Sequence, residues 1–304
     1  MGLTYHIIDV FTERAFGGNP LAVVLDADNL SAADMLQLAR EFNLSETLFV
    51  LKPTAPGHTA RVRIFTPSRE IPFAGHPTLG CALLLADLRT AAVNGENDAI
   101  IVLEEDVGSV RVGVRLRQGT AAYGEFDAPK LPDFGEALSL PEETSAALGL
   151  NPNEIGFENH KPLLLRGSSV FAYVPVSNLD AMTKARVAPS HWARAFSDRA
   201  VDGVYLYTRQ CVRAQSSFHA RMFAPDMGVP EDPATGSAAI GFARIIHTFD
   251  GLTDGPHKRT IEQGLEMGRP SSISLVMNVA RGRLEGVRIG GHGVRVMQGT
   301  ILLT

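Results

Sequence analysis

Residues 63–72 of the chain read RIFTPSREIP, and residues 221–230 read RMFAPDMGVP. The two stretches agree at five positions with identical spacing: an arginine, an apolar residue, a phenylalanine and two prolines. They begin at residues 63 and 221, 158 residues apart, which is about half of the 304-residue chain. One shared dipeptide would be coincidence, but five matched positions indicate an internal duplication. The chain is therefore expected to contain two halves of similar topology.

Each copy runs on into a segment of small residues and then into an apolar helix. The first segment reads GHPTLGC at residues 75–81, and the second reads DPATGSA at residues 232–238. The apolar run at 79–88 is the best candidate for a buried helix, and it is predicted to begin just after Thr78. Duplication then predicts two α/β halves, each a sheet wrapped around one central helix, that face each other across a cleft.

The rest of the pattern divides the chain near residue 130. Ser31 is predicted to cap a helix that runs through Phe42. A cluster of prolines after residue 128 marks a change in composition and a boundary. We expect a first half at 1–130 and a second half at 131–292, with 293–304 as a last strand that could return to the first half. Alternation of apolar residues predicts strands in the first half at 4–11, 21–25, 47–51, 60–65, 99–103, 109–116 and 121–126.

Composition and charge exclude several classes of protein. The chain has 28 Lys and Arg against 33 Asp and Glu, a formal charge of −5, which is not the basic footprint of a nucleic-acid binder. No apolar run approaches the roughly 18 residues of a membrane span, and the N-terminus lacks a secretory pattern. The two cysteines of the chain, Cys81 and Cys211, form no C-x-x-C pair, so neither a disulfide framework nor a zinc ribbon is expected. The sequence therefore predicts a cytoplasmic protein without a nucleic-acid or membrane partner.

The two small-residue segments are predicted to form an anion site. Both lie at helix N-termini, where the first backbone N–H groups lack intrahelical partners and the helix dipole is positive. Small residues at Gly75 and Gly236 let a ligand approach the backbone. Helix-start punctuation is the simpler explanation for either segment alone, but the duplication favours a site that binds a small carboxylate.

Four side chains beside these segments are candidates for chemistry. His76 lies in the first segment, where the helix dipole disfavours the imidazolium and a neutral imidazole could carry a proton. Asp232 opens the second segment and could equally be an N-cap, while Ser237 begins the second helix. Glu46 lies where a helix ends and an apolar strand begins; partial burial there would raise its pKa, although a solvated turn residue is the alternative.

Longer motifs carry a resemblance to a known family. DVF at 9–11 is followed by FGGNPLAV at 16–23, NLSET at 43–47, FAGHPT at 73–78 and EDPATGSA at 231–238. Together with GRPS at 268–271, these stretches resemble the PhzF family, isomerase-like proteins of phenazine biosynthesis, over essentially the whole chain. The resemblance implies an α+β, diaminopimelate epimerase-like fold, with two pseudo-symmetric halves that each curl a mostly antiparallel sheet around a central helix.

The resemblance also implies an activity. It is cofactor-independent isomerisation in the cleft between the halves, commonly in a homodimer, with no metal. Glu46 matches the carboxylate that moves a proton between ring carbons of 2,3-dihydro-3-hydroxyanthranilate in the phenazine enzyme. His76, Asp232 and Ser237 match groups that hold the substrate and orient or shuttle protons, and Gly75 and Gly236 fall in the turns that grip its carboxylate. The natural substrate does not follow from the residues.

Other readings of the same residues fit less well. A racemase of this fold would use one thiol at each helix N-terminus, and neither cysteine lies there. A Ser–His–Asp hydrolase is suggested by Ser237, His76 and Asp232, but no G-x-S-x-G motif surrounds the serine. A metal hydrolase would need an H-E-x-x-H motif or a tight ligand cluster, and dinucleotide and P-loop fingerprints are missing too. A small-carboxylate-binding or regulatory protein without turnover remains the alternative function.

Overall fold

The computed structural model describes residues 2–89, 96–135, 138 and 141–302. These residues form six α-helices: α1 Ala32–Phe42, α2 Gly75–Arg89, α3 Pro141–Ala147, α4 Leu179–Lys184, α5 Pro189–Ala195 and α6 Gly236–Asp250. Within them, none of the helices is long and apolar enough to cross a membrane. The end of the predicted last strand, at 303–304, lies outside the described residues.

Strands make up most of the remainder. The strands before residue 130 are β1 Gly2–Val10, β2 Asn19–Val24, β3 Glu46–Leu51, β4 Ala60–Phe65, β5 Glu70–Ile71, β6 Glu96–Glu105, β7 Gly108–Arg117 and β8 Ala122–Asp127. Those after it are β9 Asp133–Phe134, β10 Leu163–Arg166, β11 Val170–Pro175, β12 Gly203–Thr208, β13 Phe218–Ala224, β14 Val229–Asp232, β15 Gly255–Gln263, β16 Ser271–Ala280 and β17 Arg283–Leu302.

The order of strand pairing repeats in the two halves. In the first half β2 is parallel to β3, β3 is antiparallel to β4, and β4 is parallel to β6. In the second half β11, β12, β13 and β15 repeat that order and those directions. The short strands β5 and β14 each fold back onto the strand before them. Most other neighbours are antiparallel, so the fold is α+β with mostly antiparallel sheets, as predicted.

The last strand, β17, joins the two halves. Its first part pairs with β16 of the second half, its middle with β8, and its end with β1, from Gly293 opposite Val10 to Leu302 opposite Gly2. These pairings close the strands of the first half into a ring. The ring surrounds α2, whose residues 75–86 are all buried, and α6 occupies the corresponding place in the second half. The predicted boundary near residue 130 stays a prediction.

The helix starts differ from the prediction in one respect. Ser31 caps α1 as predicted, with its hydroxyl and the Asp34 carboxylate forming a capping box. In contrast, α2 begins at Gly75 and not after Thr78, so the GHPT segment is the first helical turn. Pro77 is tolerated there because the first N–H groups of a helix have no intrahelical acceptor in any case.

The duplication extends to loop contacts. Glu104, next to the end of β6, accepts hydrogen bonds from the backbone N–H groups of Thr54 and Ala55. Glu262, next to the end of β15, accepts from those of Val212 and Arg213, and every one of these positions is shifted by 158 residues. The repeat read from ten residues therefore describes the architecture of both halves, including how their loops are held.

Candidate active site

The site is built first from the starts of two parallel strands. Asn19 is the first residue of β2 and Glu46 is the first residue of β3. Because β2 and β3 are parallel, with Leu21 opposite Glu46, their first residues lie at the same edge of the sheet. The connecting helix α1 ends at Phe42, and its C-cap residue Asn43 adopts the left-handed conformation, so the chain turns directly into β3. This turn brings Glu46 to the edge where the halves meet.

The second component is the meeting of two helix N-termini. A Cβ placed on Gly75, the first residue of α2, would lie 2.8 Å from the backbone of Gly236, the first residue of α6. Only glycine permits this approach, because any side chain at Gly75 would collide with the backbone of the other helix. Neither first turn contains an acidic side chain among the described residues, so the positive ends of both helix dipoles are left uncompensated.

The predicted side chains converge here. His76 and Ser237 lie in the first turns of α2 and α6, and Asp232 is the last residue of β14. The Nδ1 atom of His76 is 3.4 Å from Oε2 of Glu46, without hydrogen-bond geometry. Ser45, Glu46, Asp232 and Ser237 line one cavity of about 30 Å³. Asp232 is not a helix cap, because Thr235 occupies the N-cap position of α6.

Asn19 links the two halves within the site. Its Nδ2 donates to Oδ1 of Asp232 at 2.8 Å and to the backbone oxygen of Ala234 at 2.9 Å, and lies 3.3 Å from Nδ1 of His76. Thr235 donates its hydroxyl to the other carboxylate oxygen of Asp232 at 2.5 Å. Asp232 is thus held by donors on both oxygens, and the amide of Asn19 fixes the position of one half against the other.

Burial gives the two carboxyl groups different proton affinities. Burial raises the pKa of Glu46 well above its usual value, and the neighbouring charge of Asp232 raises it further. Burial also raises the pKa of Asp232, but hydrogen bonds from Thr235, Ser45 and Asn19 act in the opposite direction. The Asp232 carboxylate therefore has hydrogen-bond donors that oppose the effect of burial, whereas burial and the neighbouring negative charge both raise the pKa of Glu46.

His76 is a neutral imidazole. Burial lowers its pKa to about 3, because the imidazolium would lose its hydration, and its side chain is only 3% exposed. The helix dipole at the start of α2 acts in the same direction. Among the described residues, no group of three or more His, Cys, Asp or Glu side chains is placed to hold a metal ion.

The chain is similar to known proteins over nearly its whole length. Residues 8–299 match the family model described as phenazine biosynthesis-like protein. The chain belongs to the phenazine biosynthesis-like (PhzF) family. It is 48% identical to an uncharacterized isomerase of Mesorhizobium japonicum, and 36% identical to trans-2,3-dihydro-3-hydroxyanthranilate isomerase of Pseudomonas chlororaphis. These alignments cover 98% of this chain in both cases, and 98% and 99% of the relatives.

A solved structure supports the fold. The Bacillus anthracis PhzF-family protein superposes with a TM-score of 0.87 at 22% identity, with complete coverage of both chains. The diaminopimelate epimerase-like fold predicted from the sequence is confirmed. Because both of these relatives are named isomerases, the predicted class of enzyme, an isomerase, is confirmed as well.

Several polar atoms in this PhzF-family site are buried and have no hydrogen-bond partner within the described part of the chain. They are Oε2 of Glu46, Nε2 of His76 and Oδ1 of Asn19. Buried polar atoms are nearly always paired in folded proteins, so three such atoms in one place mark where a ligand would bind. The larger clefts of about 590 and 760 Å³ elsewhere on the molecule are lined by none of the six predicted site residues.

The inner cavity adjoins a wider outer cavity of about 320 Å³. Four residues line both: Phe73, Ser169, Phe171 and Ser237. Two phenylalanines and two serines thus form the wall between the two cavities. This arrangement suits a small molecule with a polar end against the helices and a flat apolar body.

Sequence reasoning missed three contributors to the site. Asn19, Thr235 and Gln263 all lie within the network around Asp232, although only Asn19 and Thr235 belong to motifs quoted above. Gln263 is 28 residues from Thr235 and 31 from Asp232. The signal that could have found it is the repeat. Gln263 lies 158 residues after Glu105, a carboxyl residue at the end of β6, so the two halves place polar side chains at the same position.

Proposed function

We propose that this protein isomerises a small unsaturated carboxylate by moving a carbon-bound proton, with Glu46 as the acid and base. The observation that carries the proposal is the buried carboxyl of Glu46, whose Oε2 is unpartnered within the described residues and lies beside two converging helix N-termini. The substrate class is that of the relative from Pseudomonas chlororaphis, named trans-2,3-dihydro-3-hydroxyanthranilate isomerase.

The reaction divides into two proton transfers. The Glu46 carboxylate takes a proton from a saturated ring carbon, and the electron pair of the broken C–H bond enters the conjugated system next to the substrate carboxylate. The resulting Glu46 carboxylic acid then returns that proton to a second carbon, so no oxidant, reductant or further reactant is consumed. A raised pKa favours this double role, since a group with a pKa near the working pH both accepts and gives up a proton readily.

The backbone would stabilise the negative charge. The first N–H groups of a helix lack intrahelical acceptors, so the starts of α2 and α6 would bring such donors and two dipole ends to one place, as a site for the substrate carboxylate. Charge that develops on this carboxylate during C–H cleavage is stabilised by donors that are already in position. The neutral His76 and the half-buried Ser237 would contribute further hydrogen bonds to the substrate.

Glu46→Gln tests the role of the base. The amide keeps the shape of the side chain but cannot accept the proton, so turnover of trans-2,3-dihydro-3-hydroxyanthranilate should fall by about 10²–10⁴-fold. Binding of anthranilate, which is fully aromatic and has no proton to transfer, should stay within about tenfold of wild type. Deuterium incorporation from D₂O into the substrate, followed by NMR, measures the proton transfer directly.

The matched control is Glu13→Gln, at a residue whose side chain is 71% exposed and lines the other clefts. It should leave both exchange and binding unchanged. If Glu46→Gln exchanges protons at a rate near wild type, Glu46 is not the base and His76 becomes the leading candidate. If wild type binds carboxylates but exchanges no proton on any of a panel of cyclic and amino carboxylates, the alternative of a non-catalytic binding protein is favoured. That the protein is a homodimer stays a prediction. Sedimentation velocity would measure its oligomeric state.

A further inference from the structure

A second buried carboxyl, that of Glu105, reaches the same helix N-terminus from behind. Glu105 ends β6 and is 8% exposed, and its Oε1 is 2.7 Å from the hydroxyl oxygen of Thr78 in the first turn of α2. The same hydroxyl is 2.8 Å from the backbone oxygen of Ala74. Ala74 lines the inner cavity and directly precedes Gly75, so this chain of contacts ends at the proposed carboxylate grip.

Counting protons favours one charge state of Glu105, the neutral acid. The hydroxyl of Thr78 faces two oxygens but carries one proton, so it can donate to only one of them. If Glu105 is a carboxylic acid, its O–H donates to Thr78, and Thr78 donates to Ala74, so that every contact is a hydrogen bond. The remaining oxygen of Glu105, Oε2, is buried with no partner among the described residues, which costs much less for a neutral acid than for a carboxylate.

The other half of the molecule supplies an internal comparison. Leu103 of β6 pairs with Ala60, and Ile261 of β15 pairs with Phe218, and both positions are shifted by 158 residues. Glu105 and Gln263 therefore occupy the same place in the two halves.

Gln263 holds the start of α6 in the way proposed for Glu105 at the start of α2. Its Nε2 donates to the hydroxyl of Thr235 at 3.0 Å and to the backbone oxygen of Asp232 at 2.8 Å. A glutamine side chain is always a donor, whereas a glutamate is one only when it is protonated. The second half thus uses a permanent donor where the first half uses an acid.

We propose that Glu105 is a positioning residue, held as a neutral acid, that donates to Thr78 and thereby fixes the Ala74–Gly75 turn of the carboxylate site. Its ionisation would withdraw the hydroxyl proton of Thr78 from Ala74, whose backbone oxygen would keep only the longer 3.2 Å bond from the backbone N–H of Thr78, and this would loosen the grip at alkaline pH. The proposal deepens the proposed function, on which its binding measurement rests, whereas its stability measurement does not depend on any substrate.

The surroundings of Glu105 support a neutral acid. Burial raises the pKa of Glu105 to about 8, the charge of Asp106 raises it slightly further, and the Thr78 contact opposes both. On the facing side of α2, burial raises the pKa of the Cys81 thiol, a negative charge on Glu105 would raise it further, and Arg89 lowers it. No ion pair to Glu105 is found among the described side chains, so no cation offsets a buried negative charge.

The first test is the pH dependence of stability, measured by urea unfolding from pH 5 to 9. Because the folded state holds this proton more tightly than the unfolded chain, wild type should lose stability as the pH rises from about 4.5 to 8. Glu105→Gln should lack that slope, so its stability relative to wild type should grow up to about pH 8. Glu96→Gln, at the exposed start of the same strand, is the control and should keep the wild-type slope.

The second test is binding of anthranilate by calorimetry. For wild type the Kd should rise by about fivefold between pH 8 and 9, since only the protonated fraction holds the turn and the pKa of Glu105 is about 8. Glu105→Gln should bind as tightly as wild type at pH 7 and show no such rise, and Glu105→Leu should bind weakly at every pH. A wild-type pH slope of stability in Glu105→Gln would overturn the proposal even if Glu105→Leu fails to fold. Failure of Glu46→Gln to slow exchange would leave the stability result unaffected.

Discussion

Replacing Gly75 by alanine tests the contact on which the site depends. A Cβ at this position would lie 2.8 Å from both C and Cα of Gly236 and 2.9 Å from the backbone nitrogen of Ser237. The obstructing atoms belong to the backbone of α6, so no side-chain rotation can relieve the overlap. The N-termini of α2 and α6 must instead move apart.

The size of that movement sets the expected losses of catalytic activity and of stability. Ordinary contact begins near 3.4 Å, so the two turns must separate by about 0.6 Å. Misplacement of a binding group by about 1 Å can cost 10²-fold in rate, so kcat/KM should fall by roughly 10- to 100-fold. Overpacking typically costs about 1–3 kcal/mol of stability, from which the better helix propensity of alanine removes up to about 1 kcal/mol. The loss of kcat/KM should therefore be measurable in a variant that still folds.

Two further alanine variants calibrate the measurement. Gly236→Ala places its Cβ 3.1 Å from Cα of Gly75 and should give a smaller loss. Gly113→Ala, in β7, meets only the backbone oxygen of Glu125 at 3.9 Å and should bind and turn over as wild type. Anthranilate affinity by calorimetry, kcat/KM and thermal unfolding should all follow this order. Wild-type affinity and kcat/KM in a folded Gly75→Ala protein would refute the idea that both turns hold one carboxylate.

Three other variants test the electrostatics and the joint between the halves. Asp232→Asn removes a charge that raises the pKa of Glu46, so the acid limb of kcat/KM against pH should move to lower pH, and a move to higher pH would contradict this. Arg269→Met leaves Asp9, only 2% exposed, without its 2.6 Å partner, and should cost about 3–5 kcal/mol in urea unfolding at pH 7. This loss of stability should be smaller near pH 4, because burial raises the pKa of Asp9 and the carboxylate can take up a proton there. An equal loss of stability at both pH values would argue against a buried charge. Ser237→Ala should raise KM more than it lowers kcat in steady-state kinetics, and the reverse would assign Ser237 to the proton transfer.

The sequence predicts the topology well because the repeat is visible in short stretches of neighbouring residues. The β4 and β13 stretches share spacing, and each is followed by a segment that folds the same way, so one half implies the other. The predicted start of α2 after Thr78 is wrong, and the helix begins at Gly75. Glycine and proline normally interrupt helices, but the first turn tolerates both.

The polar joints within the site could not be predicted from the sequence. Asn19 reaches Asp232 across 213 residues, and Arg269 reaches Asp9 across 260. Nothing local distinguishes these side chains from turn residues, because their partners are brought to them only by the closing of the sheet through β17. The sequence does supply candidates for the chemistry, since Glu46 is a carboxylate at the start of an apolar strand.

The duplication explains what is symmetric in the site and what is not. Thr47 pairs with Phe65, and Val204 pairs with the equivalent Phe223, so the counterpart of Glu46 is Gly203 at the start of β12.

Likewise Asp232 pairs with Met222 where Ile71 pairs with Ile64, so the counterpart of Asp232 is Ile71. The spacing here is 161 residues and not 158, because three more residues lie between Met222 and Asp232 than between Ile64 and Ile71. Each half thus supplies a helix N-terminus, but only one supplies each carboxyl group. A carboxylate bound between two equivalent N-termini would be held symmetrically, whereas a proton moved by one carboxyl must approach from one side. The asymmetry would therefore present a single face of a flat substrate to Glu46, as the proposed removal and return of a proton by the same group require.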